Sequence, residues 1–217
     1  MNAYHWINRY ITPSRIDSYI YHRDTENNTT QDFINNLLKL DTRFAINMKA
    51  GNVVHSYIEH ANYETVPIHF VKDGWTVQTS PYLDCQIALP SVREMKISKE
   101  YKQYNMFGKV DCIDGIVVHD IKTTRQIKLE KYAESMQWKL YLWMTGLSIF
   151  EYNIFEIKIE EWKKSIMINK YKELKLYRYS NMEQDIFHML DEYIGYLYQI
   201  KEQIQDTARL NNIVLKL

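Results

Sequence analysis

Gly108-Lys-Val-Asp-Cys-Ile-Asp-Gly-Ile-Val-Val-His-Asp-Ile-Lys122 is the stretch whose reading decides the fold. Asp114-Gly115 at its centre is a strong signal for a two-residue hairpin, because a type I′ turn needs positive φ at both central positions. The flanking runs, residues 109–113 and 116–122, are rich in Val and Ile and read as strands. A loop on Asp114-Gly115 sets Ile113 opposite Ile116, and hence Asp111 opposite Val118. Opposed residues project to one face of a sheet, as do residues two apart on a strand. Val118, Asp120 and Lys122 then share a face with Asp111. A register slip of one residue would send Asp111 to the other side.

Two carboxylates brought together repel, and burying them unpaired is costly. A divalent cation resolves the conflict, and hard oxygen ligands suit Mg²⁺ or Mn²⁺. A lysine beside that ion holds and polarises a water, a layout for metal-assisted phosphodiester hydrolysis. The competing reading is a surface hairpin with solvated charges, since Asp and Lys are common on open strand faces.

Asp111 followed by Asp120-Ile-Lys122 resembles the PD-(D/E)XK nuclease signature, with Asp in the variable acidic slot. Gln137-Trp-Lys-Leu-Tyr141 is similar to the Q-x-x-x-Y motif that follows the lysine in the RecB-type exonuclease branch. Gly51-Asn-Val-Val-His55 resembles that branch's upstream histidine motif, and Thr12-Pro-Ser-Arg-Ile-Asp-Ser-Tyr19 its opening. The matches run in order from about residue 12 to residue 145, most of the chain.

This resemblance implies an α/β (α+β) fold with a restriction-endonuclease-like core, a central mixed sheet flanked by helices, and an N-terminal helical segment. It implies a Mg²⁺- or Mn²⁺-dependent DNA exonuclease. His55, Asp111, Asp120 and the Ile121 carbonyl would hold the metal. Lys122 would position the attacking water, while Gln137 and Tyr141 would orient the lysine or the scissile strand. A structure-specific or nicking endonuclease uses the same chemistry, and a nucleic-acid-binding module with a vestigial site is a third reading. The chain departs from the family in one respect: Cys85 and Cys112 alone cannot ligate the four-cysteine iron–sulfur cluster that many branch members carry. It resembles the small cluster-free versions common in phages, which implies roles in recombination, replication or repair, with a single-strand-binding or annealing protein as a partner.

The helical motifs also have bland readings. Residues 130–146 read as one helix with an apolar stripe at Ala133, Met136, Leu140, Trp143, Met144 and Leu147, stopped by Gly146. Gln137 and Tyr141, four apart, share a face at the edge of that stripe. A boundary Gln beside an amphipathic core Tyr fits the same pattern. His55 lies on an expected helix, residues 47–61, beside a Val54, Ile58 and Ala61 stripe; a lone helical His is more often satisfied than ligating.

Composition agrees with a compact globular chain. The sequence has 217 residues, 46% hydrophobic and 25% charged, without repeats or low-complexity tracts. The division expected is one nuclease domain over 1–217, with a helical part at 1–62, a sheet core at 63–180 and a C-terminal helix at 181–217. The N-terminus lacks a signal-peptide layout and no apolar run approaches a membrane span, so a cytoplasmic protein (host cytoplasm if phage-encoded) is expected, with no membrane partner. Two cysteines suit a reducing compartment.

The net charge is +0, but its distribution is uneven. Residues 93–131 carry nine Lys/Arg against six Asp/Glu. Arg125, Lys128 and Lys131, with Lys96, Lys99 and Lys102, are candidates for phosphate contact; a solvated charged face is the alternative.

Elsewhere, residues 14–22 and 30–40 read as helices, and residues 68–72 and 75–79 as a hairpin around Asp73-Gly74. Residues 83–89, 92–97, 155–159 and 174–179 read as strands, and 163–172 as a surface loop. Asn181 is expected to cap the final helix, with Ile186, Leu190, Ile194, Leu197 and Ile200 as its apolar stripe.

Overall fold

A computed structural model of the chain describes residues 7–40, 45–60, 65–66, 69–80, 83, 87–88 and 92–211. Three helices open the order: α1 (Pro13–Asp24), α2 (Thr30–Leu37) and α3 (Ala45–His60). Strands β1 (Thr65–Val66), β2 (His69–Lys72), β3 (Trp75–Thr79) and β4 (Ile87–Ala88) follow. Then come β5 (Val92–Tyr101), β6 (Tyr104–Asp114) and β7 (Val117–Thr124). Helices α4 (Leu129–Glu134) and α5 (Gln137–Thr145) lead to β8 (Ile149–Glu160) and β9 (Ser165–Tyr177). Helices α6 (Met182–Gln199) and α7 (Lys201–Leu210) close the order.

The main sheet has seven strands in the order β2-β3-β9-β8-β7-β6-β5. It is mixed: β3 with β9 and β7 with β8 are parallel, and the other pairs are antiparallel. A parallel pair cannot be joined by a tight turn. The β7–β8 connection therefore crosses over through α4 and α5, which lays the Gln137 helix across the sheet. Helices flank the sheet on both faces, so the α+β architecture is that expected of a restriction-endonuclease-like fold.

Each face has its own apolar core. On one, Val118, Phe150, Tyr152 and Ile154 pack under α1, α2, α5, α6 and α7. On the other, Cys112, Ile121, Phe155 and Ile157 pack under α3 through Ala50, Val53, Val54 and Ile58. No helix of the described residues is long and apolar enough to cross a membrane.

Several local expectations need correction. The active hairpin turns on Gly115-Ile116, with Asp114 paired to Val117, not on Asp114-Gly115. Gly115 alone has positive φ, at 54°, the requirement of a II′-type loop rather than I′. Residues 130–146 form two helices broken at Ser135-Met136, although Gly146 does close the second in a left-handed conformation at φ 76°. Most of the expected loop at 163–172 belongs to β9; its charges sit on a strand whose backbone is satisfied by β3 and β8. Asn181 flanks α6 but makes no side-chain cap bond. The stripe from Ile186 to Ile200 is buried, and the C-terminal helical segment bends into α7 at Ile200. The Asp73-Gly74 hairpin forms with positive φ at both loop residues, 50° and 75°. Of the strand expected at 83–89, only Leu83 and β4 lie within the described residues.

Candidate active site

The two-residue change in hairpin register keeps the parity of the faces. Pairs Cys112–His119 and Ile113–Val118 put Asp111 level with Asp120 instead of Val118. Regular β6–β7 pairing stops at Cys112–His119, however, and the strands part at the next position. On the other side, β5–β6 pairing passes from Met95–Val110 to Arg93–Cys112 without a pair at Asp111. Glu94, which would face it, has φ 56°. Asp111 therefore stands where the ladder is interrupted on both sides.

That opening brings the candidate residues together. Asp111 Oδ2 accepts a hydrogen bond from the Ile121 N–H at 2.8 Å. The same oxygen meets His55 Nε2 at 2.8 Å. Lys122 Nζ forms an ion pair with Asp120 Oδ2. Both carboxylates are buried, Asp111 at 6% and Asp120 at 4% exposure. The N–H and C=O of one strand residue point to the same edge, so the Ile121 carbonyl faces this opening with its N–H.

His55 arrives from the opposite layer on α3. Gly51, one turn earlier, makes that approach close: a Cβ there would sit 2.7 Å from Thr123 Oγ1 on β7. Ala50, Val53, Val54 and Ile58 anchor the helix in the core under the sheet. Residues four apart share a helix face, so the contact at Gly51 carries His55 to the gap between β6 and β7.

Burial and charge oppose one another at the lysine–carboxylate pair. Burial pushes the Asp120 carboxyl up to about 6, with Lys122 opposing the shift and Asp111 adding to it. Burial pushes the Lys122 ammonium down, but Asp120 and Asp111 outweigh it and hold it above the usual lysine value. The ammonium also lies 5.8 Å from the centre of the Tyr152 ring, whose residue pairs with Asp120 across the parallel ladder.

Gln137 and Tyr141 are buried on α5, four residues apart on one helix face. Tyr141 donates its hydroxyl to the Lys109 carbonyl at 2.8 Å. Its ring lies so close to β6 that a Cβ on Gly108 would meet Tyr141 Cε1 at 2.8 Å. The Tyr141 contacts brace β6 just before Asp111.

A second group beside Lys122 was not singled out in the sequence. Asp17 on α1 accepts from Ser135 Oγ at 2.5 Å and from Met136 N at 2.7 Å. It thereby satisfies the N-terminus of α5, which no local side chain caps. Gln137 N in turn donates to Ser135 Oγ at 3.1 Å. Burial raises the Asp17 carboxyl, and Lys122 is among the charges that oppose the shift. Asp17 lies inside the opening motif between its matched letters, so the motif does not mark it.

The basic candidates divide. Arg125, Lys128 and Lys131 are exposed around the end of β7 and the start of α4. Arg125 Nε donates to Asn47 Oδ1 at 3.1 Å. Lys96 is exposed too. Lys99 is instead committed to the Trp143 carbonyl at 2.7 Å and to the Trp143 ring. Lys102 is likewise paired with Asp191 at 2.5 Å. Both long side chains tie β5 or its hairpin to the helical layer.

Whether these donors suit a divalent ion is decided at Asp120. Its buried Oδ2 is ion-paired with the Lys122 ammonium. Two buried carboxylates beside an imidazole and a backbone carbonyl are a donor set that suits Mg²⁺ or Mn²⁺. Among the described residues no three His, Cys, Asp or Glu side chains already surround a common metal position. Asp111 is engaged by His55 and Ile121, and Asp120 by Lys122, so ligation would replace these internal contacts.

No family model matches the chain, and no curated protein matches it significantly. Among solved structures, that of SSO0001 is similar at 14% identity and TM-score 0.49, over 86% of this chain and 75% of that one. LHK-Exo in complex with dAMP is similar at 13% identity and TM-score 0.46, over 96% of this chain and 97% of that one. Likenesses this remote carry no chemistry, and the functional reading rests on the residues.

Proposed function

We propose that the chain is a metal-dependent DNA exonuclease that hydrolyses phosphodiester bonds from DNA ends. The observation that carries the reading is the meeting of Asp111, His55, Asp120 and Lys122 at the interrupted ladder. His55, Asp111, Asp120 and the Ile121 carbonyl would hold Mg²⁺ or Mn²⁺. When bound, the ion supplies Lewis-acid polarisation of a phosphoryl oxygen and lowers the pKa of a water.

The chain's own residues do the rest. Lys122 would orient the attacking water and meet the charge that develops on phosphorus. The Ile121 N–H orients the Asp111 carboxylate in the metal-free site. Tyr141 holds β6 through the Lys109 carbonyl, and Gln137 and Tyr141 would orient Lys122 or the scissile strand. Arg125, Lys128 and Lys131 stand at the rim, where the phosphates of a bound strand would pass.

Linear duplex and covalently closed circular DNA, each with Mg²⁺, Mn²⁺ or chelator, test the reading for wild type and Asp120→Ala. Loss of linear DNA alone, dependent on metal and on Asp120, is the expected result. Cleavage of the circle would make the enzyme an endonuclease. Intact DNA in both cases would refute nuclease chemistry at this site.

A further inference from the structure

The β8–β9 turn holds the most exposed tryptophan of the described residues. Trp162 is 81% exposed, in the segment Glu160-Glu-Trp-Lys-Lys164 that closes the hairpin. Local contacts brace the turn. Lys163 Nζ pairs with Glu160 at 2.6 Å and sits 4.5 Å from the centre of the Trp162 ring. Lys164 adopts φ 48°, and its carbonyl accepts from Thr76 N at 2.9 Å, tying the tip to β3. A large aromatic ring is thus held out into solvent by a braced turn, with a cation against it.

The tip stands in line with the candidate active site. Lys122 pairs with Ile154, and β8 continues six residues beyond it, from Ile154 to Glu160. At about 3.3 Å per residue the strand ends about 20 Å past the lysine. Residues two apart share a face, so Lys158 lies on the Lys122 face, and Lys170 joins it through its pairing with Glu156. Over residues 156–170 there are four lysines (158, 163, 164, 170) against three glutamates (156, 160, 161), with Lys163 paired to Glu160 and Lys170 to Glu156 at 3.2 Å. Glu156, at the base, accepts from Ile127 N at 3.1 Å, which sets the Arg125–Lys128 rim beside the foot of this lysine track.

An aromatic ring beside a line of cations is the chemistry of a single nucleic-acid strand: lysines follow the phosphates and the ring stacks on an unpaired base. We propose that the β8–β9 tip is a distal single-strand contact, with Trp162 stacking on a base roughly three to six nucleotides from the scissile phosphate. The nucleotide count spans a stretched strand and one stacked at about 3.4 Å per residue over the same 20 Å. The inference rests on the nuclease reading for its occupant, but its test does not require cleavage.

Labelled single strands from about 2 to about 12 nucleotides long, titrated by fluorescence anisotropy in chelator, measure it. Wild type, Trp162→Ala and Trp162→Phe are compared. Wild-type affinity should step up once the strand is long enough to span the 20 Å. Trp162→Ala should lose about tenfold on long strands and nothing on the shortest, and Trp162→Phe should regain most of it. Equal affinities of Trp162→Ala and wild type on long strands would overturn the proposal, as would an equal loss at all lengths or a loss confined to duplex. In those cases metal-dependent cleavage abolished by Asp120→Ala would leave the nuclease reading standing. No binding by wild type at any length would overturn the distal contact; the absence of cleavage in the circular and linear assay would separately remove the nuclease. The ring is exposed, so the melting temperature of both variants should match wild type; a large drop would mark a structural role and also overturn the proposal.

Discussion

Replacing Gly108 by Ala adds one methyl group at the position where β6 and α5 approach most closely. Gly108 pairs with Ile97 on β5, and its φ lies outside the left-handed region, so alanine meets no backbone penalty there. In a strand alanine should be favoured by about 0.5–1 kcal/mol, through the smaller conformational freedom it loses on folding. Against that gain, the new Cβ would lie 2.8 Å from Tyr141 Cε1, 3.5 Å from Met144 Cε and 3.6 Å from Ile97 Cγ1. The last two are ordinary contacts; the first is not. The Tyr141 ring has little room to yield, because its hydroxyl is bonded to the Lys109 carbonyl and its face lies along Phe150. Overpacking of a fixed core side chain costs about 1–3 kcal/mol. Taken at mid-range, about 2 kcal/mol of overpacking against about 0.75 kcal/mol gained, the net expectation for Gly108→Ala is a loss of roughly 1 kcal/mol, which for a chain of this size lowers the melting temperature by about 2–4 °C. Urea and thermal unfolding followed by circular dichroism measure it without metal or DNA. Removing the ring should remove the conflict: in a Tyr141→Ala background the same substitution should be neutral or stabilising, a coupling visible in the double-mutant cycle. A Gly108→Ala protein as stable as wild type would refute the argument that this glycine exists to admit Tyr141.

Lys122→Ala should lower turnover about 100-fold or more while leaving DNA binding nearly intact, because the ammonium acts on developing charge; a variant that still cleaves would take the lysine out of the mechanism. His55→Ala should weaken Mn²⁺ affinity by about tenfold or more and change DNA affinity little, and an unchanged metal titration by calorimetry would remove it from the ligand set. Asp17→Asn should change the pH dependence of stability in a defined direction. Burial raises the Asp17 carboxyl, so the native state binds this proton more tightly than the unfolded chain. Stability from this site then increases as pH falls through the raised value towards the ordinary carboxylate value, and is lost on returning to neutrality. Relative to Asp17→Asn, wild type should gain stability over that window in urea unfolding; a relative loss on acidification would contradict it.

The site was legible where parity governs it. The turn was expected on Asp114-Gly115 and falls on Gly115-Ile116, but that displacement changes the pairing register by two, and a strand repeats every two residues. Asp111, Asp120 and Lys122 therefore meet on either register. The helix bearing Gln137 and Tyr141 was readable from its periodicity, but its break at Ser135 was not. The apolar stripe runs on through Met136, and the group that stabilises the interruption is Asp17, on a different helix. Residues 163–172 look like a loop because lysines at 163, 164, 170 and 172 bracket a short apolar run; the neighbours that make them a strand, β3 and β8, are supplied by topology. The Tyr101–Tyr104 hairpin was likewise hidden, since its turn uses Lys102 at φ 53° rather than glycine.

The interruption of the ladder at Asp111 explains why residues from both faces of the sheet can serve one site. Were β6 and β7 paired regularly past Cys112–His119, the Ile121 N–H would be free to donate across the ladder to β6 backbone, as antiparallel strands do. It donates instead to the Asp111 side chain. A buried N–H must have a partner, so the parting of the strands and the capture of the carboxylate are one structural fact. The gap also gives α3, packed beneath the sheet, a path for His55 to the carboxylate, while α5 above it braces the strand through Lys109 and Gly108. Glu94 at φ 56° completes the arrangement from β5, because a regular pair there would hold Asp111 in the ladder from the other side. The placement of Asp111 thus depends on two neighbouring strands failing to pair with it. A sequence pattern of alternating apolar residues does not record that failure, whereas the chemistry of the four gathered side chains depends on it.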